Sequence, residues 1–451
     1  MKTPQPSSTT IPSATKKPSS LKRLALKGSA WVIFGIGAGQ GLRLVGNVIL
    51  ARLLTPDAFG IMGIVNALLM GLGMFSDLGL KPSIIQNRRG EEPIFLCTAW
   101  TLQVIRGIVI ALLAAALAWP LAIINNESSL TLIISVAGLT AIIAGFNSTW
   151  LLVYSRRMLL AQTVILDLTA YLLNLLAMVV CAWYFRSVWA LVLGAFVGNL
   201  IKLIVSHTLL SGMPMRFQLE TDTAMELIRF GRWIFINTAL GFLVIRLDVF
   251  LFGSFAGMSM LGLYVLAKNL SSLVTQALTA LSSRVLFPVY TRLFEQGHDV
   301  LRSRTKKVRM LLLTAFLPPL WFLILWGDQL VALLYDERYL DAGWIVQILA
   351  AGATATAVRL TIVPVLLAVG DSFRNMIGTM IRLTLQLISL AIGVYLAGIP
   401  GFFIAIALTD LLSYPALVYL IRPYGVWLPS IDALAFGTSF IVIGMALLHK
   451  Y

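Results

Sequence analysis

Thirteen mostly apolar stretches, each near the length of about 20 residues that crosses a hydrocarbon core as a helix, follow one another along this chain. They cover residues 30–50, 58–80, 95–118, 129–152, 160–184, 187–210, 233–254, 262–287, 308–327, 343–369, 373–397, 400–421 and 431–448. The run 262–287 is the least apolar, because Lys268, Asn269, Gln276 and Arg284 interrupt it. A water-soluble chain could not hide this much apolar side chain, with 59% of 451 residues hydrophobic and only 12% charged. The fold class that follows is all-α: a polytopic membrane protein of about 12–14 transmembrane helices.

The formal charge of +15 does not point to nucleic acid, because the basic residues are distributed as in a membrane protein. With the N-terminus inside, 24 of the 34 Lys and Arg fall on the cytoplasmic side, against four outside (Arg52, Arg186, Arg338 and Lys450). That is the positive-inside bias, and one missed or invented span would scramble it. The basic stretch RSRTKKVR at 302–309 reads as a juxtamembrane loop that sets topology, with attraction for anionic lipid or substrate phosphate as a further use. The Ser, Thr, Pro and Lys of residues 1–20 cannot build a core, so that segment reads as a disordered tail. The first apolar run is too long for a cleaved signal peptide and has no A-x-A-like site.

Other function classes lose ground on the same residues. Cys97 and Cys181 both lie in apolar stretches, and the three histidines are scattered, so neither a disulfide framework nor a metal site is expected. No G-x-x-x-x-G-K-S/T phosphate loop occurs, against an ATP-driven transporter. The outside loops are short, the largest being about 328–342, so no extramembrane catalytic domain is expected and the chain does not read as an enzyme.

The first span, WVIFGIGAGQGLRLVGNVIL, carries Gly35, Gly37, Gly39 and Gly41, then Gln40, Arg43 and Asn47 in mid-span. Such a helix packs closely on its neighbours. A charge at its middle is costly in lipid, so Arg43 is expected to face protein or a water-filled cavity. The segment LRLVGNVILARLLTPDAFGIMGIVNAL also repeats as IRLDVFLFGSFAGMSMLGLYVLAKNL. Arg43 aligns with Arg246 and, after one gap, Gly60 with Gly262 and Asn66 with Lys268. Six spans separate the copies, an even number, so both have the same orientation. Two six-helix lobes related by an axis along the membrane normal are expected, with substrate between them. The division would be an N-lobe at 21–210, a cytoplasmic linker at 211–232, a C-lobe at 233–421 and an extra C-terminal helix at 422–451.

ARLLTPDAFGIMGIVNAL, then FSDLGLKPSIIQ, WLLVYSRRMLLAQ, ELIRFGRWIFI, SSRVLFPVYTRL and LLYDERYLDAGWIVQILA resemble, in order and spacing, the polysaccharide and O-antigen (Wzx-type) flippases. These belong to the multidrug/oligosaccharidyl-lipid/polysaccharide exporter superfamily, and the resemblance covers roughly residues 20 to 370. It implies a flippase that carries undecaprenyl-diphosphate-linked oligosaccharide across the bacterial cytoplasmic membrane by alternating access. Partners would be that lipid-linked oligosaccharide, membrane lipids, a polysaccharide polymerase and glycosyltransferases. A lipid II flippase or a multidrug antiporter of the same superfamily is the alternative, and an O-antigen polymerase or ligase a more distant one. Family members carry twelve or fourteen spans; thirteen here leave HKY outside, so the sequence departs from the family at span 431–448.

A diphosphate crossing a membrane needs a hydrated cationic cavity, and Arg suits it because its planar fork donates two bonds at once. Candidate substrate-binding residues are Arg43, Arg106, Arg246, Arg359, Lys268 and Lys202, with interhelical ion pairing as the alternative role for the arginines. Arg43 and Arg246 are expected to face each other, one from each lobe. Asp77, Asp167, Asp248 and Asp410 are the intramembrane acids. They are candidates for coupling to Na⁺ or H⁺, although Asp77 suits a structural helix end; no other cofactor is expected. Trp150, Trp183, Trp189, Trp321, Trp326 and Trp427 lie near span ends, as an interfacial belt does. Pro364 is a candidate kink and gating hinge.

Overall fold

The computed structural model describes residues 18–76, 80, 83, 84, 87, 89–157, 160–208, 213–294 and 296–450. Asp77 and the first seventeen residues of the expected tail lie outside the described residues; residues 18–20 already belong to a helix. Among the described residues the chain is helical and contains no strand. We number the helices α1 (Pro18–Leu53), α2 (Pro56–Phe75), α3 (Pro93–Ile124), α4 (Ser129–Gly145), α5 (Trp150–Arg156), α6 (Leu160–Phe185) and α7 (Trp189–Thr208). Then follow α8 (Thr221–Ala256), α9 (Met258–Leu281), α10 (Phe287–Phe294), α11 (His298–Leu334), α12 (Ala342–Ala368), α13 (Ser372–Ile421) and α14 (Pro429–Lys450).

Each predicted span has its helix. Ten helices among the described residues are long and apolar enough to cross a membrane. Of the other three predicted spans, α4 is short at 17 residues and α9 is too polar along one face. The third arises because α13 is two arms: Ala397 and Gly398 leave helical geometry, Gly398 at φ 58°, a conformation that glycine adopts without strain. Arg382 and Asp410, 28 residues apart, form an ion pair across the two arms. A straight helix would hold them about 42 Å apart at 1.5 Å per residue.

Local chemistry explains the ends nearest the site. Thr55 is extended and hands the chain to Pro56 at the first helical position, with Asp57 in the first turn of α2. There the missing N–H costs nothing and a carboxylate suits the helix dipole. Pro93 opens α3 in the same way.

Helices α1–α7 pack mainly on one another, as do α8–α14; the two sets meet chiefly where α2 lies against α9 and α8. The α2–α9 contact is built on Gly60 and Gly262, the pair that the internal repeat aligns. A Cβ on Gly60 would sit 3.1 Å from the Gly262 nitrogen, and one on Gly262 would sit 3.1 Å from the Gly60 nitrogen. The neighbouring carbonyls obey the same exchange: Gly60 abuts that of Met258, Gly262 that of Pro56, each four residues back. Residue i meeting j while j meets i is the signature of a two-fold axis, so the pseudo-axis of the two lobes passes between these glycines.

The α1–α2 turn and the α11–α12 loop lie at the same end of the bundle and are tied together. Tyr339 donates its hydroxyl to the Leu54 carbonyl at 2.9 Å. Arg338 reaches the carbonyls of Ala51 and Arg52 at 3.4 and 3.3 Å. Below this strap, Phe252, Tyr264, Phe402 and Phe403 form a buried aromatic cluster, with the ring centroids of Phe252 and Phe402 4.6 Å apart. At the other end, the segment before α8 is held to α3 and to the loop before it. Glu220 pairs with Arg89 at 3.1 Å, and its amide donates to Thr98 Oγ1 at 3.2 Å.

Four expectations change. The linker placed at 211–232 is partly helical, because α8 already begins at Thr221. The basic stretch 302–309 is not a loop but part of α11, and Arg309 within it is fully buried. Backbone geometry stays helical through Pro364; α11 instead departs from it at Trp326. In α1, Gly35, Gly39 and Gly46 face side chains of α6, whereas Gly37 and Gly41 face open space, so alternate glycines do not all serve packing.

Candidate functional site

Polar positions at helical spacing converge on a cavity of about 810 Å³ between the two sets of helices. Gly39, Gln40 and Arg43 come from α1, and Asp248 from α8. Lys268, Thr275, Gln276 and Thr279 come from α9, and Thr356 and Arg359 from α12. Thr379, Arg382 and Gln386 come from the first arm of α13. Spacings of three and four put each set on one face of its helix, which is why these otherwise apolar spans can be wet along one line.

The charges fall into three groups. Asp248, 2% exposed, accepts from Lys268 Nζ and from the Tyr264 hydroxyl; Lys268 also donates to the Ile245 carbonyl at 3.1 Å. Asp410, 4% exposed, lies between two arginines, with Arg359 Nε at 3.1 Å and Arg382 Nε at 2.5 Å from Oδ1. Its Oδ2 accepts from Thr356. Arg43 differs from all of these. Its guanidinium donates to Gln276 Oε1 at 3.2 Å, the same oxygen that accepts from Gln40, and among the described residues no carboxylate pairs with it. The cavity and its immediate partners therefore carry four cations against two carboxylates. An excess of two positive charges inside a low-dielectric bundle attracts an anion strongly.

A second cavity of about 520 Å³ lies among α2, α3, α4, α6 and α7. Arg106, Asp167 and Lys202 line it, and each has polar partners among these helices. Arg106 donates to Ser76 Oγ at 3.0 Å and to the Gly73 carbonyl, and Lys202 pairs with Asp167 at 2.8 Å. Gln103 beside them donates to the carbonyls of Gly145 and Asn147.

The structure thus brings Arg43, Lys268 and Arg359 together, and places Arg106 and Lys202 elsewhere. Arg246 lines neither cavity; its Nε rests 3.2 Å from Met70 Sδ of α2. The expected Arg43–Arg246 pair across the cavity is corrected to a cluster of Arg43 with Lys268, Arg359 and Arg382. Each described acid among the candidates, Asp167, Asp248 and Asp410, sits against a cation.

Sequence reading counted Arg382 and Arg309 among the 24 cytoplasmic Lys and Arg, although Arg382 falls inside the expected span 373–397. The stripe Thr379, Arg382, Gln386 with Asp410 on the following span was the available signal for the first. Arg309 pairs with the buried Asp432 of α14 and donates to Thr361 Oγ1 at 3.1 Å, which fastens the C-terminal helix to the bundle.

Comparison with known proteins agrees with this architecture. The family model described as polysaccharide biosynthesis protein matches residues 49–343. The lipopolysaccharide biosynthesis protein WzxC of Escherichia coli is 23% identical over 326 residues, 71% of this chain and 65% of that protein. The alignment thus spans less than two thirds of that relative's length. The succinoglycan biosynthesis transport protein ExoT of Rhizobium meliloti is 22% identical over 76% of this chain and 68% of its own. Among solved structures, the lipid II flippase MurJ in an inward closed conformation superposes with a TM-score of 0.71 at 13% identity, covering 94% of this chain and 93% of that one. An inward-facing multidrug resistance MATE family transporter gives 0.66 at 14% identity, covering 86% and 94%. At such identities these two show the fold and nothing finer.

Proposed function

The chain belongs to the polysaccharide biosynthesis protein family, and from that premise we propose that it flips undecaprenyl-diphosphate-linked saccharide repeat units across the bacterial cytoplasmic membrane. The observation that carries this reading is Arg43. It is a cation facing a roomy interlobe cavity, held by an amide rather than a carboxylate, so its charge remains available to an anion. The diphosphate would enter beside Arg43 and share Lys268, Arg359 and Arg382, where planar guanidinium forks donate to two phosphate oxygens at once. The saccharide would occupy the remaining polar volume, and the polyprenyl chain would stay in lipid. The excess of Lys and Arg on one side of the predicted topology supports entry from the cytoplasm.

Release requires the opposite end to open. The strap of Arg338 and Tyr339 on the α1–α2 turn and the aromatic cluster beneath it close that end here, which favours a cytoplasm-facing state in an alternating-access cycle. Coupling to Na⁺ or H⁺ through Asp248 or Asp410 is part of the proposal, as is hand-over from glycosyltransferases and to a polymerase. The test is translocation in proteoliposomes loaded with a fluorescent undecaprenyl-diphosphate saccharide. Wild-type protein is expected to move it between leaflets, and the Arg43→Gln variant to fail. Equal movement by the variant would overturn the phosphate assignment.

A further inference from the structure

A smaller cavity of about 200 Å³ adjoins α1 one turn beyond Arg43, and its lining is chemically unlike that of the first. Asn47 of α1, Asn66 of α2, Tyr171 and Asn174 of α6 and Asn269 of α9 converge on it, and no charged residue lines it. Among the described residues, none of these four amides or the phenol makes a side-chain hydrogen bond. The Asn174 Oδ1 is buried from solvent without a partner. In a membrane interior this is an expensive arrangement unless something polar fills it. Packing alone would not bring four asparagines from four helices to one point; Asn is neither a good helix former nor an apolar filler.

We propose that this pocket holds the sugar ring bonded directly to the diphosphate, an assignment that rests on the phosphate reading of Arg43. Carboxamides both donate and accept, as vicinal hydroxyls require. Phe59 and Tyr171 add aromatic surface for the apolar face of a ring. The absence of carboxylate from the lining argues against a hard cation, whose sites recruit Asp or Glu. At about 200 Å³ the pocket is small beside the ~300–1,000 Å³ of drug-sized ligand sites, so it fits one ring rather than a chain. Position supplies the remaining argument. Asn47 follows Arg43 by four residues, about 6 Å along the helix, and Asn269 adjoins Lys268. A ring there lies about one helical turn from a diphosphate at Arg43, and further sugars are left to the larger cavity. The pocket would thus read the first sugar and leave the rest of the repeat unit unread.

Binding to the purified full-length protein in nanodiscs tests this with two kinds of probe: undecaprenyl diphosphate alone, and the same lipid carrying a single glucose, galactose or N-acetylglucosamine. Wild-type protein should bind at least one glycosylated lipid more tightly than the bare diphosphate. Asn47→Leu and Asn174→Leu should erase that difference, weakening the glycosylated probe by at least about tenfold and leaving the bare lipid within twofold. Asn66→Ala, a milder change at an exposed position, should move the same ratio in the same direction without altering the melting temperature. Equal loss of both probes, or no loss of either, overturns the sugar pocket, as does wild-type protein that binds neither probe or prefers no sugar. Arg43→Gln separates the two readings. If it weakens both probes, the phosphate site stands; if it weakens neither while the asparagine variants still weaken only the glycosylated probe, the phosphate site fails and the sugar pocket stands.

Discussion

Gly60 of α2 and Gly262 of α9, which the internal repeat aligns with each other, also touch each other across the interface of the two halves. The contact leaves no room for a side chain on either residue, because each faces a backbone carbonyl of the partner helix. In the proposed alternating-access cycle such a point is kept while the lobes rock, and the glycine pair would serve as its fulcrum.

Gly60→Ala and Gly262→Ala are each expected to destabilise the protein by about 1–3 kcal/mol, the usual cost of overpacking. The double variant should cost clearly less than the sum, because one separation of the helices relieves both clashes. Thermal melting of the four proteins in one detergent measures this, and strict additivity would place the two glycines at independent contacts.

Asp410 compensates Arg359 and Arg382 at a buried position. Asp410→Asn leaves two guanidinium groups facing each other and should cost about 3–5 kcal/mol, as loss of one partner of a buried pair does. Adding Arg359→Gln to Asp410→Asn should restore much of the melting temperature and still lower affinity for undecaprenyl diphosphate. Recovery of stability and affinity together would mean that Arg359 serves the fold alone.

Tyr339 and Arg338 hold the strap across the closed end. Tyr339→Phe with Arg338→Ala removes three donations to main-chain carbonyls, each with a net value of about 1 kcal/mol. The populations should shift toward the state open at that end. In a background with Cys97 and Cys181 replaced, a cysteine at Leu54 should then react faster with an impermeant maleimide. An unchanged rate would show that the strap does not gate.

At the other end, hydrogen bonds from Thr223 and then from Arg89 hold the Glu220 carboxyl below its ordinary value. Glu91 is held low by Arg157. A carboxyl lowered in the folded state stabilises above its unfolded value and loses that contribution as pH falls through the folded one. Hydrogen exchange of amides 213–220 should therefore be flat from neutral pH down to about 5 and should quicken below about 4, after correction for intrinsic rates. Glu220→Gln should remove that acid-side change; persistence of the same change would assign it to another group.

Span positions were legible in the sequence because apolar length is set by the membrane and by little else. The repeat that aligns Gly60 with Gly262 was legible as well; their contact was not, and it follows because a residue near a two-fold axis meets its own repeat equivalent. Arg43 and Arg359 stood out as charges deep in their spans, and Lys268 as one nearer the outer end of its span. The Arg43–Arg246 pairing failed because alignment of two helices fixes depth, not facing: Arg246 turns toward Met70, and Asp248, two residues on, turns toward Lys268. Arg382 and Arg309 were missed because they were counted with the cytoplasmic basic residues, and a basic residue on the cytoplasmic half of a span is not assigned to the bundle interior until its acid partner is known. Asp410 and Asp432 lie 28 and 123 residues further along the chain.

The central claim is that a cationic interlobe cavity headed by Arg43 binds the diphosphate of a lipid carrier. Among the described cations of this cavity, Arg43 is the one whose removal orphans no carboxylate, so its loss can be read as loss of binding. The most direct measurement is the affinity of purified wild-type and Arg43→Gln protein in nanodiscs for undecaprenyl diphosphate, at two salt concentrations and with melting temperatures alongside. The account predicts at least about tenfold weaker binding and a shallower salt dependence in the variant, at an unchanged melting temperature. Equal affinity and equal salt dependence in the two proteins would contradict it.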